Sequence, residues 1–132
     1  MKKVLISLLL FFSTSSLASV DVVVTKKTQT MDVIVDGEHL YRWPVSTARK
    51  GHYTPTGTFH PYSMQLIHYS RKYDNAPMPY SIFFNGDYAI HGTSSVANLG
   101  RPASHGCVRL ATNNAKTLYN LIKNYNSTII IK

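Results

Sequence analysis

Apolar and polar positions along most of the chain follow the two-residue period of strands, and helical spacing appears only near the end. Val20 to Val24 and Met31 to Val35 are short β-branched runs. Asp36-Gly37 then supplies a tight hairpin turn before a third run from His39 to Val45, predicting a three-stranded meander. Within Tyr53 to Phe59, the segment Thr54-Pro55-Thr56-Gly57-Thr58 reads as a turn feeding the next extended piece. His60 to Pro79 mixes Tyr62, Tyr69 and Tyr73 with polar residues, carries Pro77 and Pro79, and reads as a long surface excursion. Ser81 to Phe84 and Asp87 to His91 flank Asn85-Gly86, the clearest hairpin signal, which sets His91 at the end of a strand.

Gly92 to Ala103 is a polar loop that leads into Ser104-His105-Gly106-Cys107-Val108-Arg109-Leu110. After Thr112, a good helix cap, Ala115, Leu118, Tyr119 and Ile122 recur at helical spacing and predict a helix of about three turns. Ser127 to Ile131 closes the chain as a β-branched strand. The expected fold class is mainly β with one substantial helix, and the polar residues suited to chemistry fall at strand ends or in loops.

The first residues do not belong to this pattern. Met1-Lys2-Lys3 is followed by an apolar run from Val4 to Phe12, broken only by Ser7, and Ser16-Leu17-Ala18 offers small residues for cleavage. That is the layout of a secretory signal peptide over residues 1–18, which leaves residues 19–132 as one domain. The apolar run is far shorter than the ~20 residues that span a bilayer, so no stable membrane anchor is expected. The domain is expected to be exported, to the periplasm or cell envelope.

Export changes the meaning of the charge. The full chain carries +8, and loss of Lys2 and Lys3 leaves +6. In the cytosol such a balance suggests nucleic acid, but outside the inner membrane the anions within reach are lipid head groups, surface polysaccharides and the carboxylates of cell-wall peptides. No nucleic-acid partner is expected. With 44% hydrophobic and 15% charged residues, the composition also excludes fibrous and disordered classes.

One cysteine remains in 132 residues, Cys107, and it has no partner for an internal disulfide. A lone thiol is either a small buried hydrophobe or a group used in chemistry, and residue types alone leave both open. His91 lies sixteen positions upstream, across a Gly-containing loop that lets the two approach. A nearby imidazole holds a thiol as thiolate and returns the proton to a leaving amine. Gly106 permits a turn in which the N–H groups of Gly106 and Cys107 converge on an oxyanion. Arg109, two residues beyond the thiol, has the planar fork that suits a carboxylate. His91, His105 and Cys107 lack paired zinc-ligand spacing, so no metal and no cofactor are called for. His39, His52, His60 and His68 carry no motif spacing, and surface or structural roles are expected for them.

Four blocks, Thr54-Pro55-Thr56-Gly57-Thr58-Phe59, Ala76-Pro77-Met78-Pro79-Tyr80, Ala89-Ile90-His91-Gly92-Thr93 and Ser104 to Leu110, resemble the L,D-transpeptidase (YkuD-like) catalytic domain family. The resemblance implies a β-sandwich in which Cys107 attacks the carbonyl between an L-centre and a D-amino acid of a peptidoglycan tetrapeptide stem. D-alanine leaves, and a thioester forms and passes to an amine of a neighbouring stem, cross-linking the wall. It further implies His91 as base and acid, with the Gly92 carbonyl orienting its ring. Ser104, His105 and Gly106 would wall the nucleophile and oxyanion site, and Arg109 would contact a stem carboxylate. Tyr73, Met78 and Tyr80 are candidates to line the substrate groove. The resemblance leaves L,D-carboxypeptidase or amidase action, and a non-catalytic wall-binding module, as rivals. Peptidoglycan stems are the expected partners of a monomer.

Overall fold

The computed structural model describes Ser7 and residues 18–132. The expected leader falls outside these residues except for Ser7 and Ala18. The elements, in chain order, are β1 (Ser19–Thr25), β2 (Thr30–Val35), β3 (Glu38–Pro44), β4 (Gly57–Phe59), β5 (Ser63–Ser70), β6 (Ala76–Asn85), β7 (Tyr88–Thr93), β8 (Val108–Ala111), α1 (Thr112–Asn124) and β9 (Asn126–Ile131). They form a five-stranded sheet ordered β3-β2-β1-β9-β4 and a four-stranded sheet ordered β5-β6-β7-β8. Among the described residues no helix is long and apolar enough to cross a membrane.

The expected meander is β1-β2-β3. Its second turn is made by Asp36 and Gly37, both left-handed (φ +50° and +80°), the conformation that matches the twist of a two-residue hairpin. β9 enters this sheet beside β1 and parallel to it, Val22 opposite Ile129. Alternation along these strands turns Val20, Val22, Val24, Met31, Val33, Ile129 and Ile131 inward. They meet Ile82, Phe84, Ile90, Val108 and Leu110 of the second sheet, and Ala115, Leu118, Tyr119 and Ile122 of α1, in one core. The four α1 residues are those the helical spacing selects.

Three expectations require correction. The stretch from His60 to Pro79 is not an irregular excursion, because β5 and the first part of β6 form a hairpin in it, His68 opposite Met78. Both faces of β5 are largely solvated, with Leu66, Ile67 and Tyr69 exposed, so it has no alternation of core and solvent positions to betray it. Pro77 and Pro79 are tolerated because β7 pairs only from Ile82 onward, leaving the proline-bearing half of β6 with one neighbour. The β6–β7 turn is Gly86-Asp87 rather than Asn85-Gly86, since a bulge at Phe84 moves Asn85 into the ladder opposite Tyr88. Thr112 does not cap α1. It is the first helical residue, and its hydroxyl donates to the Thr93 carbonyl at 3.4 Å, tying the helix start to β7.

That junction is tight. A methyl group on Gly92 would lie 2.9 Å from the Thr112 Cα, and backbone there has nowhere to go. Gly92→Ala is expected to destabilise the fold by about 1–3 kcal/mol, the usual effect of overpacking, read as a lowered urea midpoint with an unchanged m-value.

Candidate active site

β7 and β8 run parallel, with Ile90 opposite Val108 and His91 opposite Arg109. Successive strand residues face opposite ways. Ile90, Val108 and Leu110 enter the core, and His91 and Arg109 share the other face. Cys107 precedes β8 in phase with Arg109 and emerges on that same face. All three line a groove of about 960 Å³.

The opposite wall comes from the β5–β6 hairpin and contains Tyr73 and Met78. Met78, Phe83 and Ala89 form a small apolar cluster against which Cys107 packs. His68 lies edge-on to Phe83, with ring centroids 5.0 Å apart, and so belongs to the groove rather than to a remote surface. Tyr80 does not line the groove. Its backbone is left-handed (φ +53°), which reverses the phase of β6: Met78 faces the groove, whereas Tyr80 packs on the core edge-on to Tyr119 at 5.7 Å. A non-glycine residue in that region is strained, and such strain gathers near functional sites.

The nucleophile loop is held by buried polar groups. Ser104, fully buried, donates its hydroxyl to the Cys107 carbonyl at 2.6 Å and accepts the Gly106 N–H at 3.0 Å. Ser104 therefore does not wall the groove, and the Gly106 N–H is already engaged and does not converge on an oxyanion with that of Cys107. Thr54, also buried, donates to the Gly106 carbonyl at 2.7 Å and accepts the Ala48 N–H at 2.9 Å. Gly106 itself is left-handed (φ +147°), and a Cβ there would meet Tyr88 at 2.7 Å. Behind the loop, the Thr47 carbonyl accepts the N–H groups of Ala103 and Ser104. Thr47 is clasped in turn by Gln29, which accepts the Thr47 N–H at 2.8 Å and donates to its hydroxyl at 2.6 Å.

His91 is buried, and its Nδ1–H donates to the Gly92 carbonyl at 2.8 Å. A carbonyl only accepts, so this bond fixes the tautomer and leaves Nε2 as a free acceptor. Burial holds the imidazole down to about 4, against a partial upward pull from the Gly92 carbonyl; Arg109 and His68 lower it further. The Cys107 thiol is pushed up, chiefly by burial, with the Ala89 N–H and Arg109 pulling it back. The sulfur also lies 3.9 Å from the Asp87 carbonyl, and no hydrogen bond joins it to His91 among the described residues. The resting pair is thus neutral thiol and neutral imidazole, not the thiolate held by imidazole that the sequence suggests. The reason is desolvation by the apolar cluster beneath the sulfur.

Tyr73 stacks on His105, with centroids 4.2 Å apart, and His52 tilts against the same His105 ring at 4.9 Å. Arg109, His105, Gly106, Cys107, His91, Tyr73 and Met78 are therefore brought together, whereas Ser104 and Tyr80 are not. Phe83, His68 and Asp87 join the groove without having been singled out by the sequence. Among the described residues no group of three His, Cys, Asp or Glu side chains gathers as a metal site would. Alkylation of Cys107 by iodoacetamide is expected to rise with a midpoint above that of an ordinary free thiol, without a plateau near neutrality; a midpoint below that of a free thiol would establish a preformed ion pair.

The sequence profile of the L,D-transpeptidase catalytic domain (YkuD) matches residues 19–131. Solved structures with the same fold include an L,D-transpeptidase from Mycobacterium smegmatis, 26% identical, with TM-score 0.79, covering 87% of this chain and 59% of that one. An L,D-transpeptidase from Stackebrandtia nassauensis is 28% identical, with TM-score 0.73, and covers 89% of this chain and 56% of that one. Another, from Xylanimonas cellulosilytica, is 25% identical, with TM-score 0.74, and covers 89% and 62% respectively. This chain thus spans less than two thirds of the length of each. No curated protein sequence matches it. The profile and the shared two-sheet fold agree: this chain belongs to the L,D-transpeptidase catalytic domain family.

Proposed function

We propose that the chain is an exported, cysteine-dependent L,D-transpeptidase acting on peptidoglycan tetrapeptide stems. The observation that carries this is the placement of Cys107 and a His91 ring of fixed tautomer on one face of one groove, with Arg109 beside them. A base whose Nε2 is free and a thiol on a movable side chain are the minimum for acyl transfer.

The step begins from the neutral pair. Cys107 turns from the Asp87 carbonyl, gives its proton to Nε2 of His91 as sulfur attacks the scissile carbonyl, and forms a tetrahedral intermediate. Its oxyanion draws on the Cys107 N–H; a second donor requires the Gly106 N–H to leave the Ser104 hydroxyl. Collapse breaks the bond to D-alanine, whose nitrogen takes the proton back from His91, and leaves a thioester. An acceptor amine then attacks the thioester and loses its proton to His91, and the thiol is restored. The same groove admits water, so hydrolysis to a tripeptide is the competing outcome. Arg109, with no carboxylate partner among the described residues, suits a stem carboxylate.

Incubation of a purified disaccharide-tetrapeptide with the protein, followed by mass spectrometry, is expected to give a dimer lacking one alanine. Cys107→Ala should give none, and His91→Ala should lower turnover about 10²- to 10⁴-fold, the usual contribution of a positioned general base. Tripeptide alone would assign a carboxypeptidase, and product that persists in Cys107→Ala would overturn the mechanism. Since only neutral His91 accepts the proton, the acid limb of kcat/KM is expected near pH 4, where its imidazole titrates, and not near 6.5.

A further inference from the structure

Cations outnumber carboxylates along the groove of this fold. Of the chain's six carboxylates, Asp21, Asp32, Asp36 and Glu38 belong to the β1–β3 meander or its turn. Asp32 takes both His39 and Arg42 at 2.7 Å, and these are the only ion pairs among the described residues. Arg71 and Lys72, at the turn of the β5–β6 hairpin, and Arg109 all line the groove; Asp74 follows Tyr73 at that turn and Asp87 is the one acidic side chain in the lining, and neither forms an ion pair with these three cations. Arg49 sits behind the nucleophile loop, its backbone N–H bonded to the Ser104 carbonyl at 2.9 Å.

Lys72 is tethered rather than loose. Its Nζ lies 5.5 Å from the centre of the Tyr73 ring, and Tyr73 stacks on His105, two residues before Cys107. The ammonium is therefore no more than about 10 Å from the His105 ring, a span that about three residues of extended peptide cover. The cations do meet there: besides burial, the positive charges of Arg49, Arg109 and Lys72 lower the His105 imidazole. Like charges gathered on a groove raise its energy until an anion enters, and the field they make draws anions in.

Taking the groove as the acyl-donor site proposed above, we infer that Lys72 and Arg71 bind a free carboxylate on the donor peptide one or two residues before the one that carries the scissile carbonyl. The protein thereby selects stems whose carboxylates are free over stems in which they are amidated. A peptide carboxylate is favoured over a separate polyanion because the cations lie within a few residues of the sulfur, on the same wall that must cover the donor chain. Arg71 offers a two-pronged donor and Lys72 a point charge held over an aromatic face.

The test uses two tetrapeptides that both end in D-alanine with a free terminal carboxylate and differ only in amidation of the upstream carboxylates. Each is titrated calorimetrically into Cys107→Ala, and into Cys107→Ala carrying Lys72→Gln or Lys72→Arg. The free form is expected to bind about tenfold more tightly, the usual size of a charge-assisted contact, and more so at low salt. Lys72→Gln should remove most of that preference and Lys72→Arg should keep it. Equal affinities, absence of binding by either peptide, or a preference that Lys72→Gln leaves unchanged would overturn the inference. Turnover of the same two peptides by the protein with Cys107 intact separates the two proposals: peptides that bind with the expected preference but yield no Cys107-dependent product leave the carboxylate site standing and overturn acyl transfer.

Discussion

Four ladder positions between β7 and β8 hold His91 level with Arg109 and Ile90 level with Val108, and the phase of this parallel pair divides core from chemistry. A slip of one residue would carry imidazole and guanidinium into the sandwich and deliver Ile90, Val108 and Leu110 to water. The register is kept by what lies on both sides of it. Apolar side chains with no exposure fix one face, and Gly92, closed against Thr112, fixes how near α1 approaches the strand that carries the base. The bulge at Phe84 and the left-handed Tyr80 belong to the same arrangement. They let one strand, β6, supply the core with Ile82 and Phe84 and the groove with Met78 and Phe83.

Cys107 is positioned by backbone rather than by its own side-chain contacts. Ser104, Thr54, Thr47 and Gln29 hand hydrogen bonds from the first turn of the chain to the peptide groups around Cys107, each donor and acceptor satisfied out of reach of water. Such a network is rigid where a surface loop would not be. The sulfur, by contrast, is held only by the Ala89 N–H and a long contact to the Asp87 carbonyl. A fixed main chain beneath an uncharged thiol leaves the side chain, and not the backbone, to move in the groove. It also leaves the thiol little reactive toward small oxidants while the groove is at rest, since the thiolate is the oxidisable form.

The legible parts of the sequence were those in which one face is buried. Val20, Val22 and Val24 alternate because β1 has a core side, and Ala115, Leu118, Tyr119 and Ile122 repeat because α1 has one. His91 and Cys107 stood out by chemistry and spacing. β5 left no trace, being solvated on both faces at the sheet edge, and with it went the pairing that brings His68 and Met78 to the groove. Ser104 and Tyr80 were misplaced for a related reason. Their environments are set by a polar knot of distant residues and by a local reversal of strand phase, neither of which a residue's own neighbours encode. The charge state of Cys107 was equally hidden, because it follows from the apolar floor made by Met78, Phe83 and Ala89 on two different strands.

The place of β9 governs how such a chain is made. It lies between β1 and β4, and Val20 of the first strand pairs beside Ser127 of the last. More than a hundred intervening residues must be synthesised before the larger sheet has its interior strand, so contacts are far apart along the chain and folding is expected to be slow and late. Until then β1 and β4 lack their common neighbour, and the apolar faces of both sheets stay uncovered. The nascent polypeptide thus remains threadable and in need of protection throughout its synthesis, acquiring its barrier to unfolding only when the final strand slides into the gap.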